Sequence, residues 1–241
     1  MKRIIAVILV FTLALGTLSG CALKKQLTAF GLYTKAVNTI REAGGVEAEC
    51  VAVMDLSLLS VEIDMNIKQN GENSEITVAM GGEQVSKTTT VGGTVYVDAA
   101  GTKTRYPKPD AVGSGSEMSA IPKLAEDLFT NIEIVEDEDG GKALTVAIGS
   151  DVLASLFDAA DGAFDGASFE NAALTMYFDP DDNIKSMHLD GDAVMEVMGF
   201  SMTVNMLVDY TFINLGTAPE INVPEDAEDY IIIDMSETDN T

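Results

Sequence analysis

Residues 200–213 read FSMTVNMLVDYTFI. Phe200, Met202, Val204, Met206, Val208, Tyr210 and Phe212 take alternate positions, and Ser201, Thr203, Asn205, Asp209 and Thr211 stand between them. A period of two marks a β-strand with one dry face and one wet face. Seven alternate apolar positions specify a strand of about 13 residues, well beyond the usual 5–6. Strands that long suit a strongly curved sheet.

Outward from this stretch, 171–178 and 184–197 read as two more strands, which complete a three-stranded meander with it. The same period governs the first half of the chain. In 46–58, Ala48, Cys50, Ala52, Met54, Leu56 and Leu58 share a face; in 61–68, Val61, Ile63, Met65 and Ile67 alternate with Glu62, Asp64, Asn66 and Lys68. Asn70-Gly71 is a hairpin signal. Ile76, Val78 and Met80 continue the pattern to Gly81-Gly82, and short strands follow at 84–91 and 94–99. Residues 101–116, rich in Gly, Pro and Ser, read as a loop. Strands near 131–136 and 142–148 flank the turn DEDGG. Alternation of this kind marks antiparallel strands buried on one side.

Three helices punctuate the strands. In 22–43, Leu23, Leu27, Phe30, Val37 and Ile40 form a one-sided apolar stripe that Gly44-Gly45 stops. A second helix runs from about Ser119 to Phe129. A third starts at the N-cap Ser150 and brings Leu153, Leu156, Phe157 and Ala160 together. The fold class is therefore mainly β (α+β): a large curved antiparallel sheet, apolar inside, with amphipathic helices packed on its concave face. No repeat or low-complexity linker divides residues 21–234, which read as one domain. APEINVPEDA, a short YIIID and a polar tail at 235–241 end the sequence.

Composition narrows the function classes. The 241 residues are 46% hydrophobic and 22% charged, a globular balance. Formal net charge is -25, and leaving out Lys2 and Arg3 sets 12 basic residues against 39 acidic ones, a net -27. Such a surface repels nucleic-acid phosphates and anionic lipid, so no nucleic-acid partner is expected. His188, the single histidine, falls on the polar face of its strand with no nucleophile marked beside it. DPDDNIKSMHLD, residues 179–190, places Asp179, Asp181, Asn183 and Asp190 at loop positions 1, 3, 5 and 12 of a calcium loop. However, Ile184 stands where the sharp turn needs glycine, and Asp190 where a bidentate Glu belongs. It reads first as a hairpin turn. No catalytic group, metal site or cofactor is expected, and the chain reads as a non-enzyme.

The N-terminus sets the location. Lys2 and Arg3 precede an uncharged apolar run, Ile4–Leu15, and Leu18-Ser19-Gly20-Cys21 follows. Basic region, apolar region and small residues stand in the order of an export signal. The last four residues resemble the lipobox of bacterial lipoproteins. The resemblance implies a signal peptide at 1–20, cleavage before Cys21, and a diacylglycerol thioether on Cys21 that anchors the protein in the cell envelope. That places it on the outer side of the cytoplasmic membrane, or in an outer membrane if the host has one. Cys50, on an apolar strand face, is left without a disulfide partner.

The order of elements resembles the LolA-like superfamily of bacterial lipoprotein and lipid carriers. The likeness rests on the helix after the lipobox, the meander from Val46, GTVYVDAAGTKTRYPKP before the central helices, and the closing INVPEDAEDY. It implies an unclosed half-barrel that binds acyl chains between sheet and helices, and so a carrier of a hydrophobic ligand such as a lipid. Absence of Trp and abundance of Met (12) distinguish this chain, and Met lines adaptable apolar surfaces or fills cores. The candidate cavity residues are Met65, Met80, Met202, Met206 and Phe212 on strands, with Phe30 and Phe157 on helices. The alternative is a cell-surface sensor or protein-interaction module of the same fold with no ligand cavity; the sequence names no protein partner.

Overall fold

The stretch at 200–213 is the strand β11, Phe200–Leu215, and it lies inside the sheet between the first strand and the one before it. The computed structural model describes residues 28–55, 59–108, 124–150, 152–153, 168–197 and 200–233. Residues 28–42 form a helix, α1. Six strands follow: β1 Gly45–Asp55, β2 Ser60–Asn70, β3 Asn73–Met80, β4 Glu83–Val91, β5 Thr94–Ala99 and β6 Thr102–Pro107. After the 3-10 segment Glu126–Asn131 come β7 Glu133–Glu136, β8 Lys142–Ala147, β9 Ser168–Phe178, β10 Ile184–Val197, β11 and the two-residue β12, Ile231–Ile232.

All twelve join one open curved sheet in the order β12-β6-β5-β4-β3-β2-β1-β11-β10-β9-β8-β7. Every pairing is antiparallel except β12 with β6. The architecture is the expected half-barrel. Antiparallel register also divides the sheet into two rims. The upper rim holds the start of α1 and the hairpins β1–β2, β3–β4 and β5–β6. The lower rim holds the end of α1 and the turns β2–β3, β4–β5, β7–β8 and β9–β10.

Register explains why one face is dry. Ala48, Cys50, Ala52 and Met54 of β1 lie opposite Phe212, Tyr210, Val208 and Met206 of β11, and opposite Ile67, Met65, Ile63 and Val61 of β2. A slip of one residue would turn every one of these side chains outward. The buried stripe of α1 is Ala29, Leu32, Tyr33, Ala36 and Ile40, at helical spacing. Phe30 and Val37, read from sequence as the stripe itself, flank it and are only partly buried. Leu144, Leu153, Met176 and Phe129 are fully buried beneath or beside α1.

Two elements differ from the sequence expectation, and others lie outside the described residues. Residues 102–107, read as loop, form β6. Thr102, Lys103, Thr104, Arg105 and Tyr106 carry no apolar alternation, and the hairpin that makes the strand turns on Ala100 and Gly101, both at positive φ. The described part of the second expected helix is a 3-10 segment with non-helical angles at Phe129. The signal region 1–20, Cys21, the tail 235–241 and most of the third helix, Phe157 included, lie outside the described residues.

Candidate ligand-binding face

Half of the inner face is closed by packing. Phe30, Tyr33 and Phe129 form an aromatic cluster with ring centroids 5.2–6.1 Å apart. This ties α1 to the 3-10 segment over β8–β11. The Tyr33 hydroxyl accepts a hydrogen bond from the backbone N–H of Leu124 at 2.8 Å. Burial pushes the Tyr33 phenol above its ordinary pKa. Met206, buried, and Met202, half-buried, belong to this packed half. So does Cys50, whose thiol burial pushes up to about 11, with Asp209 adding to the shift. Its cross-strand neighbour Tyr210 is likewise buried and shifted upward.

The apolar inner face continues in register across β2 and β3: Ile63 opposite Met80, Met65 opposite Val78, Ile67 opposite Ile76. Ile63, Met65 and Val78 are half-buried, while Ile76 and Met80 are exposed. Met65 and Met80 thus sit together on an apolar strip that the described elements leave partly open. Ile63, Ile76 and Val78 complete the strip. Their alternation was visible in sequence, but which strands α1 would cover was not.

A second opening lies at the lower rim. A cleft of about 410 Å³ is lined by Thr39 of α1 and by Ile184, Lys185, Ser186, Phe212 and Leu215, among others. Phe212 is the candidate residue found there. At the same rim Lys35 of α1 donates to the carbonyl of Asp181 at 2.8 Å.

The seven candidate positions therefore part company. Met80 is exposed on the strip, and Met65 beside it is half-buried and packs against the core. Phe212 lines the cleft. Phe30, Met202 and Met206 pack in the covered half, and Phe157 lies outside the described residues.

The polar motifs resolve into structure. The Asp179 carboxylate accepts from the N–H groups of Asp181 and Asn183 at 2.9 and 2.8 Å and from the Asn183 amide at 3.0 Å. These donors hold its pKa below the usual carboxylate range. Asp190 stands well inside β10, away from this turn, so the calcium-loop positions do not converge. His188 pairs with Asp209 across β10 and β11 at 2.7 Å on the outer face.

No family model and no curated protein matches the chain. Solved structures do. The Mycobacterium tuberculosis lipoprotein LppX is 12% identical, over 81% of this chain and 98% of that one, with a TM-score of 0.46. LprF from Mycobacterium bovis is 14% identical, over 82% and 97%, with a TM-score of 0.46. A LolA superfamily protein from Nitrosomonas europaea is 7% identical, over 80% and 94%, at 0.30. At these identities the likeness is one of fold alone, and what the half-barrel of this chain holds must be argued from its own residues.

Proposed function

We propose that the protein is a bacterial envelope lipoprotein, anchored through lipid on Cys21, whose half-barrel binds or carries a hydrophobic ligand such as a lipid or acyl chain. The observation that carries this reading is the apolar strip on β2 and β3. Ile63, Met65, Ile76, Val78 and Met80 continue the inner face across these two strands, with Ile76 and Met80 exposed among the described residues. Monomeric proteins seldom leave contiguous apolar surface open without a use for it. An acyl chain fits such a strip because its recognition needs area and not direction, and two Met side chains adapt to its kinks. Met65 and Met80 are the positions assigned to ligand contact on the strip, and Phe212 at the lower cleft. The role is binding, not catalysis.

The test is extraction. Protein purified from its membrane, washed of detergent and extracted into organic solvent should release an apolar molecule in near-stoichiometric amount by mass spectrometry. Met80→Asp, at an exposed position of the strip, should sharply reduce that release while the fold persists by circular dichroism. An extract with no apolar molecule, from protein that also fails to take up a fluorescent fatty acid, would sink the carrier reading.

A further inference from the structure

The inner face changes character at β4. Residues directly opposite each other on neighbouring strands share a face, so the register can be followed across the sheet in rows. One row runs Ile67, Ile76, Thr88, Val97, Thr104 from β2 to β6. The next runs Met65, Val78, Ser86, Ala99, Thr102. Each is apolar on β2 and β3, then carries a hydroxyl on β4 and again on β6. Thr90, opposite Ser74 and Val95, adds a third hydroxyl to the inner side of β4. Ser86, Thr88, Thr90 and Thr104 are half-buried. Among the described residues their hydroxyls have no hydrogen-bond partner.

A face that is merely wet would carry ions, as the outer face of the same strands does. There Glu75 pairs with Lys68 and Lys87, and Asp98 with Lys103. None of these groups shares a row with Thr88 or Ser86. The chain has 39 acidic and 14 basic residues, yet neither row contains a charged side chain. The inner face of β2–β6 is therefore a surface of two parts. One part takes hydrocarbon, and the other gives and accepts hydrogen bonds without charge.

We infer that the ledge of Ser86, Thr88, Thr90 and Thr104 selects a ligand whose head group is uncharged and bears hydroxyls, its hydrocarbon lying on the strip of Ile63, Ile76 and Val78. The inference rests on the carrier reading above and names the class of ligand carried. An ionised head laid on the ledge would lose water and meet no counter-charge in either row, which costs far more than placing an uncharged polar group there. A head without donors would displace water and leave the hydroxyls with fewer partners. An uncharged head that both gives and accepts hydrogen bonds meets both conditions. Thr88 is the central position, because Ile76 stands opposite it on one side and Val97 on the other.

The test uses the full chain loaded with the uncharged dye N-phenylnaphthylamine. Three ligands with the same hydrocarbon chain then displace it: monooleoylglycerol, methyl oleate and oleyl sulfate. Monooleoylglycerol should bind on the order of ten-fold more tightly than the other two, the worth of one or two hydrogen bonds. Thr88→Val combined with Thr104→Val keeps the shape of both side chains. It should bring monooleoylglycerol down to the level of methyl oleate, while methyl oleate itself binds as before and so reports an intact strip. Thr88→Ser keeps the hydroxyl and should keep the preference. Methyl oleate or oleyl sulfate binding as tightly as monooleoylglycerol overturns the ledge and leaves the carrier reading standing. So does a preference that survives the paired valines, or one that Thr88→Ser abolishes. Protein that binds neither the dye nor any of the three ligands overturns the carrier reading and the ledge with it.

Discussion

The hydroxyl of Tyr33 accepts the backbone N–H of Leu124 at 2.8 Å, and this one bond ties the buried stripe of α1 to the start of the 3-10 segment that seals the covered half of the sheet. Leu124 is buried, so its N–H has no water to turn to when the hydroxyl is removed. Tyr33→Phe keeps the ring against Phe30 and Phe129 and removes the hydroxyl that accepts from Leu124. Leaving a buried donor unsatisfied costs about 1–3 kcal/mol. In a chain of this size that lowers Tm by several degrees, at about 2–4 °C per kcal/mol. Urea unfolding should show a lower midpoint with an unchanged slope. An unchanged midpoint would mean that the bond contributes nothing.

Alkali should unfold the protein through its covered half. Cys50 and Tyr210 face each other across β1 and β11, and burial raises both above their ordinary values. Neutral thiol and neutral phenol are the forms the core accepts. The stability they contribute is complete below pH 9, the ordinary value of the thiol, and is lost as pH rises through about 11. Thermal melts between pH 7 and 11 should hold level and then fall, and Cys50→Ala should move the onset of the fall upward. The same burial predicts that iodoacetamide at pH 8.5 modifies Cys50 only after denaturation. Rapid reaction in the native state would contradict the buried geometry.

Methionines on one face have different jobs, and mutation separates them. Met206 is 4% exposed within the packed half, so Met206→Ala should cost about 2–5 kcal/mol. Met80 is exposed at a hairpin tip, so Met80→Ser should change stability by about 0.5 kcal/mol or less. Its effect belongs to binding. Displacement of a fluorescent fatty acid should weaken in Met80→Ser and stay near normal in a Met202→Leu control. Equal binding by Met80→Ser and the parent would remove Met80 from the ligand path.

The contrast between Met206 and Met80 shows where the sequence was legible. Period-two alternation placed β1–β5 and β7–β11 as strands, and in β1, β2, β3 and β11 it also named the apolar face, because a half-buried strand writes its orientation into polarity. It missed β6, whose Thr, Lys, Arg and Tyr residues hide a strand that neighbours and turn geometry create. It could not separate Met206 from Met80, since both alternate equally well. Tertiary packing, which alternation does not record, buries Met206 and leaves Met80 exposed among the described residues. The lower cleft was illegible for a related reason. Thr39 and Lys185 meet there although 146 residues separate them in the chain.

The segment after β11 is a strap, and one glycine sets its path. From Gly216, whose N–H donates to the carbonyl of Gly45 at 2.9 Å, the chain crosses the outer face to pair β12 with β6. The Asn70 amide donates to the carbonyl of Pro219 at 3.1 Å, Lys103 pairs with Asp226, and Tyr230 packs edge-on against Tyr96. A Cβ on Gly45 would stand 2.3 Å from Ala218 Cα and 2.7 Å from Thr217 O. Both are backbone atoms, so the strap itself must move. Overpacking of this kind costs about 1–3 kcal/mol. Gly45→Ala should therefore unfold at lower urea and also loosen the strap locally. A glutamyl endopeptidase should cut after Glu220 and Glu225 several-fold faster than in the parent. Lys103→Met is the control. Its ion pair is solvent-screened, so removing it should leave the cutting rate close to that of the parent. Equal cutting of Gly45→Ala and parent would show that the strap is not held by its approach to Gly45.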